Sequence, residues 1–107
     1  MRKLTLKRKK KMVACVMKTF IYLETKVDED LVLDDIPCKK VGVLKNGKSI
    51  TIDIPNEECN LFVVFSKPMP NKFKANYLIK AGDNDINLVT FPRYDPFKGN
   101  PFIIAEK

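Results

Sequence analysis

The sequence predicts an all-β chain, a small single-domain antiparallel β-sandwich of about seven strands with a basic arm at its N-terminus. Three observations predict it. Short runs of β-branched and aromatic residues recur along the chain, clusters of Gly, Pro, Asn and Asp punctuate them, and the positive charge is confined to one end. At 107 residues there is room for one hydrophobic core. The expected organisation is therefore an arm at residues 1–11 and one sandwich domain at residues 12–107.

The arm follows from the charge distribution. The net charge is +7, and Arg2, Lys3, Lys7, Arg8, Lys9, Lys10 and Lys11 supply seven cations with no acid among them. The other 13 Lys and Arg match the 13 Asp and Glu in number, so the remainder is formally neutral. Leu4 and Leu6 leave a second reading open, in which the arm pairs as an added strand. The apolar stretch after Lys11 is interrupted by Lys18 and closed by Glu24, and no small-x-small cleavage pattern follows. It is thus read as neither a secretory signal nor a membrane span. The expected location is cytoplasmic. Cys15, Cys38 and Cys59, odd in number and without Cys-x-x-Cys spacing, fit reduced thiols in a reducing compartment, with a single bridge as the other option.

Residues 11–24 contain Val13, Val16, Thr19, Phe20, Ile21 and Tyr22 and read as one long strand, although period alone also admits a helix over residues 12–18. In residues 26–35, Asp28, Glu29, Asp30, Asp34 and Asp35 surround Leu31, Val32 and Leu33, which suits an exposed loop with a short edge strand. The clearest local signal is Asn46-Gly47 between alternating runs. A type I′ turn there pairs Lys45 with Lys48, Val43 with Ile50 and Val41 with Ile52, and places Ile54 on the same face. Leu61-Phe62-Val63-Val64-Phe65 is apolar on both faces and reads as a central strand. Residues 76–81 and 86–91, joined through Gly82-Asp83-Asn84-Asp85, read as a second hairpin. Residues 91–102 form an aromatic and proline-rich surface loop leading to a terminal strand at residues 102–105.

The unit formed by Val43-Leu44-Lys45-Asn46-Gly47, residues 50–55, Asn56-Glu57-Glu58-Cys59 and residues 61–65 resembles the PEGA-like and carboxypeptidase-regulatory-like β-sandwich modules of bacterial proteins. Glu57-Glu58-Cys59 stand where that family usually carries a Gly and a His or Tyr. The resemblance implies a non-enzymatic accessory or interaction module and supplies no catalytic residue.

Histidine is absent, which removes the commonest general base and metal ligand, and with it Ser-His and Cys-His nucleophile pairs. No catalytic, cofactor-binding or metal site is predicted, and the acids of residues 28–35 lack the EF-hand spacing. The expected function is a non-enzymatic module that meets a protein partner, or a second copy of itself as a homodimer, through edge strands and the aromatic loop. Arg93, Tyr94, Phe97 and Lys98 are its candidate interaction residues, because aromatics beside cations anchor interfaces or stack on bases. Phe91, Phe97 and Phe102 are read as caps on the sandwich. The alternative is a binder of nucleic acid or an anionic membrane surface. There Arg2, Lys3, Lys7, Arg8, Lys9, Lys10 and Lys11 attract the polyanion and displace its counterions. No small-molecule substrate is predicted.

Overall fold

A computed structural model of the chain describes residues 1–12, 17–93 and 101–107. They form nine strands and no helix: β1 (Arg2–Arg8), β2 (Thr19–Glu24), β3 (Leu31–Leu33), β4 (Ile36–Leu44), β5 (Ser49–Ile54), β6 (Cys59–Val64), β7 (Lys74–Ile79), β8 (Ile86–Pro92) and β9 (Phe102–Glu106). One sheet runs β5-β1-β8-β9 and the other β3-β4-β2-β6-β7. Their facing sides enclose a core that includes Leu4, Leu6, Ile54, Leu88 and Phe102 from the first sheet and Ile21, Leu23, Leu44, Leu61, Val63 and Ile79 from the second. The all-β, sandwich-like architecture agrees with the sequence. The described strands number nine rather than about seven, and the first sheet is mixed, because β1 runs parallel to β8.

The basic arm is corrected for Arg2–Arg8. These residues form an interior strand, antiparallel to β5 on one side and parallel to β8 on the other. The reason is their period of two: Arg2, Leu4, Leu6 and Arg8 point inward and are buried, whereas Lys3, Thr5 and Lys7 point outward. Burying Leu4 and Leu6 contributes about 1.5–3 kcal/mol each, which outweighs the mutual repulsion of exposed, solvated lysines. The predicted division at residue 11 therefore does not describe Arg2–Arg8.

Both predicted hairpins that flank the sandwich are corrected as well. The Asn46-Gly47 turn forms, with the Lys48 N–H donating to the Lys45 carbonyl at 3.0 Å. Only Gly47 has positive φ, at 77°, and Asn46 does not. A type I′ turn needs both, and with one the strands splay instead of pairing. β4 accordingly joins the second sheet and β5 the first, so the turn arches across the core edge. Val41 and Ile52 still reach the core, from opposite sheets rather than as a cross-strand pair. Gly42 also serves this arch, since a β-carbon there would lie 3.1 Å from Cδ1 of Ile50. The β7–β8 connection is a second arch of the same kind, with β7 in one sheet and β8 in the other. Of the long strand predicted for residues 11–24, Thr19–Glu24 form β2 and residues 11–12 and 17–18 are not in a strand, while residues 13–16 lie outside the described residues.

Residues 61–64 do lie in a central strand, β6, between β2 and β7. Its outward side chains Phe62 and Val64 are buried as deeply as its inward ones, because the second sheet curls on itself. The curl is visible in what its two edges share. Asn71, just before β7, donates from Nδ2 to the Val32 carbonyl on β3 and accepts from the Asp34 N–H, and Lys74 on β7 pairs with Asp34 at 2.9 Å. Leu33, Cys38, Phe62 and Val64 fill the resulting concavity with Phe20, Tyr22, Leu31 and Ile36. The β3–β4 turn is the true two-residue hairpin: Asp34 and Asp35 both have positive φ, 50° and 63°.

Candidate polyanion-binding end

β1 leaves the sheet with Lys9, Lys10 and Lys11, and backbone hydrogen bonds fix this exit on both sides. The Arg8 N–H donates to the Lys48 carbonyl at 2.8 Å, the Lys9 N–H to the Thr90 carbonyl at 3.0 Å, and the Lys11 N–H to Oδ1 of Asn46 at 3.0 Å. The segment is thereby held between the 45–48 turn and the end of β8. Gly47 lies against this segment, where a β-carbon would be in ordinary van der Waals contact with the Lys10 side chain at 3.4 Å; its φ of 77° is what favours glycine. On the β8 side, Nζ of Lys9 and of Lys11 lie 4.6 and 5.8 Å from the ring centre of Phe91, within cation–π range.

The result is one end of the sandwich rich in exposed cations. Lys7, Lys9, Lys10 and Lys11 come from β1 and its exit, Lys18 from the entrance of β2, Lys45 and Lys48 from the arch, and Arg93 from just past β8. All eight are exposed. Residues 7–12, 17–18, 45–48 and 91–93 contain no Asp or Glu. With the effective screening length near 8 Å at physiological salt, cations this close add their fields at the surface.

Three predicted members of the basic cluster are elsewhere or occupied. Arg8 is fully buried, with Nη1 donating to the carbonyls of Met17 (2.6 Å) and Leu44 (3.0 Å) and its guanidinium 4.8 Å above the Phe102 ring. It organises the basic end from beneath. Arg2 is buried at the opposite end of β1, and Lys3, also at that end, pairs with Asp53, which holds its ammonium pKa above the usual lysine value. Burial of an arginine at every sixth position of this strand is the cost-bearing side of its alternation: the long side chains reach past the leucines to carbonyl oxygens at the two sandwich ends.

Of the predicted interaction residues, Arg93 is exposed at the basic end, its N–H bonded to the Pro101 carbonyl at 2.8 Å. Tyr94, Phe97 and Lys98 lie outside the described residues, as does Cys15. Phe102 caps the core as expected, while Phe91 is half-buried beneath the two lysines on the outer side. Lys18, Lys45 and Lys48 are the members that sequence reasoning missed. The Asn46-Gly47 turn is the signal that could have found the last two, because any turn there brings its flanking lysines together.

Cys38 and Cys59 are free thiols, buried in the curled concavity and the main core respectively. Burial pushes Cys38 up to about 11, aided by Glu24, Asp34 and Glu29, and raises Cys59 in the same direction. Among the described residues no three His, Cys, Asp or Glu side chains gather in a way that would hold a metal ion. No helix among them is long and apolar enough to cross a membrane. Comparison with protein-family models, with curated proteins and with solved structures yields no match to this chain.

Proposed function

We propose that the chain is a non-enzymatic binding module for a phosphate-bearing polymer, in particular nucleic acid, and that its contact surface is the basic end built from Lys7, Lys9, Lys10, Lys11, Lys18, Lys45, Lys48 and Arg93. The observation that carries this reading is the convergence of three separated lysine-bearing segments, free of carboxylates, at one end of an otherwise balanced sandwich: hydrogen bonds tie residues 8–11 to the 45–48 turn, and the Arg8 side chain binds the Met17 carbonyl beside Lys18. A fixed array loses less side-chain and backbone entropy on binding than a free tail with the same charges. Contacts to phosphate through lysines are sequence-independent, so the module grips backbone rather than reading bases.

Protein contact by strand addition has less support. β3 has three residues and is tied to Asn71, and β9 packs beside β7, where the Tyr77 hydroxyl donates to Glu106 at 3.1 Å. These edges are already covered in part.

The test is fluorescence anisotropy with a labelled single-stranded oligonucleotide at rising salt, for the full chain and for the triple variant Lys9→Gln, Lys10→Gln, Lys11→Gln. If about six of the eight cations reach phosphates, log K falls against log salt with a slope near −4, and the triple variant flattens it to about −2. Phosphatidylserine vesicles serve as the competing polyanion. Unchanged slopes in the variant, no binding at low salt, or binding to vesicles alone would each refute the reading.

A further inference from the structure

The opposite end of the sandwich holds an arginine that the polyanion site does not use. Arg2 is 4% exposed. Its Nε donates to the Pro55 carbonyl at 3.0 Å, and Nη2 donates to the carbonyls of Lys80 at 2.6 Å and Glu57 at 3.4 Å. These bonds tie the turn after β5 to the arch after β7. They leave Nη1 without a hydrogen bond among the described residues, and none of their carboxylates lies within 4.0 Å of the guanidinium. Carbonyls satisfy N–H groups but do not neutralise a charge, and a guanidinium stays charged at every accessible pH. Buried charges are ordinarily paired, because desolvation without a counter-charge costs several kcal/mol.

The same guanidinium lines a cleft of about 420 Å³ between the β7 and β9 edges, together with Tyr77, Lys80, Gly82, Asn84 and Lys107. That volume falls in the range of small-molecule sites. A β-carbon on Gly82 would sit in van der Waals contact with Nη1, at 3.4 Å, so a larger side chain there would crowd this nitrogen. The Gly82 backbone is fixed by its N–H bond to the Asn56 carbonyl at 2.8 Å. Two side-chain carboxylates also line the cleft, each hydrogen-bonded to a neutral donor that orients it without cancelling its charge: Asp85 accepts from the Lys3 N–H at 2.8 Å, and Glu106 from the Tyr77 hydroxyl.

We infer that this cleft binds a small molecule through a carboxylate or phosphate group, with Nη1 of Arg2, the cleft-facing nitrogen of an otherwise buried guanidinium, as the charge-assisted donor and Lys80 and Lys107 as the outer cations. The oxyanion supplies the counter-charge that the fold withholds from Arg2. The cleft and the Lys9–Lys11 cluster lie at opposite ends of β1, so either site can fail without the other.

Acetate and inorganic phosphate are the probes, titrated into the full chain and followed by amide and arginine Nε resonances. Saturable shifts at Arg2 Nε and at the Gly82 and Asn84 amides are expected with at least one probe. Arg2→Gln removes three structural hydrogen bonds and can fail to fold, so the deciding variant is Gly82→Val, which leaves Arg2 and its carbonyl partners in place. It is expected to weaken binding by about tenfold or more, the worth of one charge-assisted hydrogen bond. Non-saturating shifts for both probes, shifts confined to Lys9–Lys11, or wild-type affinity in Gly82→Val would overturn the inference.

Discussion

Replacing Leu4 or Leu6 with alanine distinguishes an interior strand from an arm. Both side chains are essentially inaccessible, at 0% and 1% exposure, and both belong to the main core with Ile54 of their own sheet and Ile21 and Leu44 of the facing one. Truncating a leucine in such a setting removes its transfer free energy and leaves a cavity, about 2–5 kcal/mol in all. A domain of this length has about 5–15 kcal/mol of total stability, so either change removes a large share and the double change leaves the chain unfolded. Urea denaturation followed by far-ultraviolet circular dichroism reads the effect. With a slope of about 1.5 kcal/mol per M, a loss of 3 kcal/mol moves the midpoint down by about 2 M. Lys7→Ala on the outward face is the control and stays within about 0.5 kcal/mol. Losses under about 1 kcal/mol for both leucines would refute the placement of β1 and the burial argument with it.

Three further outcomes follow from the geometry. Gly47→Ala forces a β-carbon into φ +77° and against Lys10, and is expected to destabilise the chain by about 1–2 kcal/mol in the same urea assay; no change would remove the need for glycine in the arch. Asn71→Ala deletes the two hydrogen bonds that close the curled sheet, with a cost of about 1–3 kcal/mol and faster alkylation of Cys38 by iodoacetamide; wild-type reactivity would show that the curl closes without it. Because the folded state raises the Cys38 pKa above its ordinary 9.0 to about 11, the thiol's contribution is intact below pH 9 and lost as pH climbs toward 11; Cys38→Ala should show a shallower decline of stability over that window, and identical slopes would contradict it.

The β content was legible because alternation and β-branched runs are local properties, and β6 declared itself through apolar residues on both faces. Which strand meets which was less legible. Asn46-Gly47 carries the residue types of a tight hairpin, but the sign of φ at Asn46 is decided by what the flanking strands gain elsewhere: β5 gains β1, and β4 gains β2. Asp34-Asp35, lacking glycine, gave no comparable signal, yet it adopts both positive φ angles because Lys74 and the Asn71 side chain hold Asp34. The same limit governs the sites. Clustered lysines at residues 7–11 are visible as a run, whereas their union with Lys45 and Lys48 depends on an arch, and the isolation of Arg2 depends on contacts with residues 55, 57 and 80. The alternation in Arg2–Arg8 was readable, but the density of positive charge masked it.

Placing β1 between β5 and β8 also constrains how the molecule is made. A ribosome emits residues 2–8 before the strands that flank them, which come from residues 49–54 and 86–92, and the Lys3–Asp85 hydrogen bond spans 82 residues. Completion of this sheet must therefore await the emergence of residues 86–92, the signature of a slow, high-contact-order folder. Until then Leu4 and Leu6 travel uncovered, and the flanking Lys and Arg, by repelling neighbouring copies, keep this sticky leading segment dispersed during the wait.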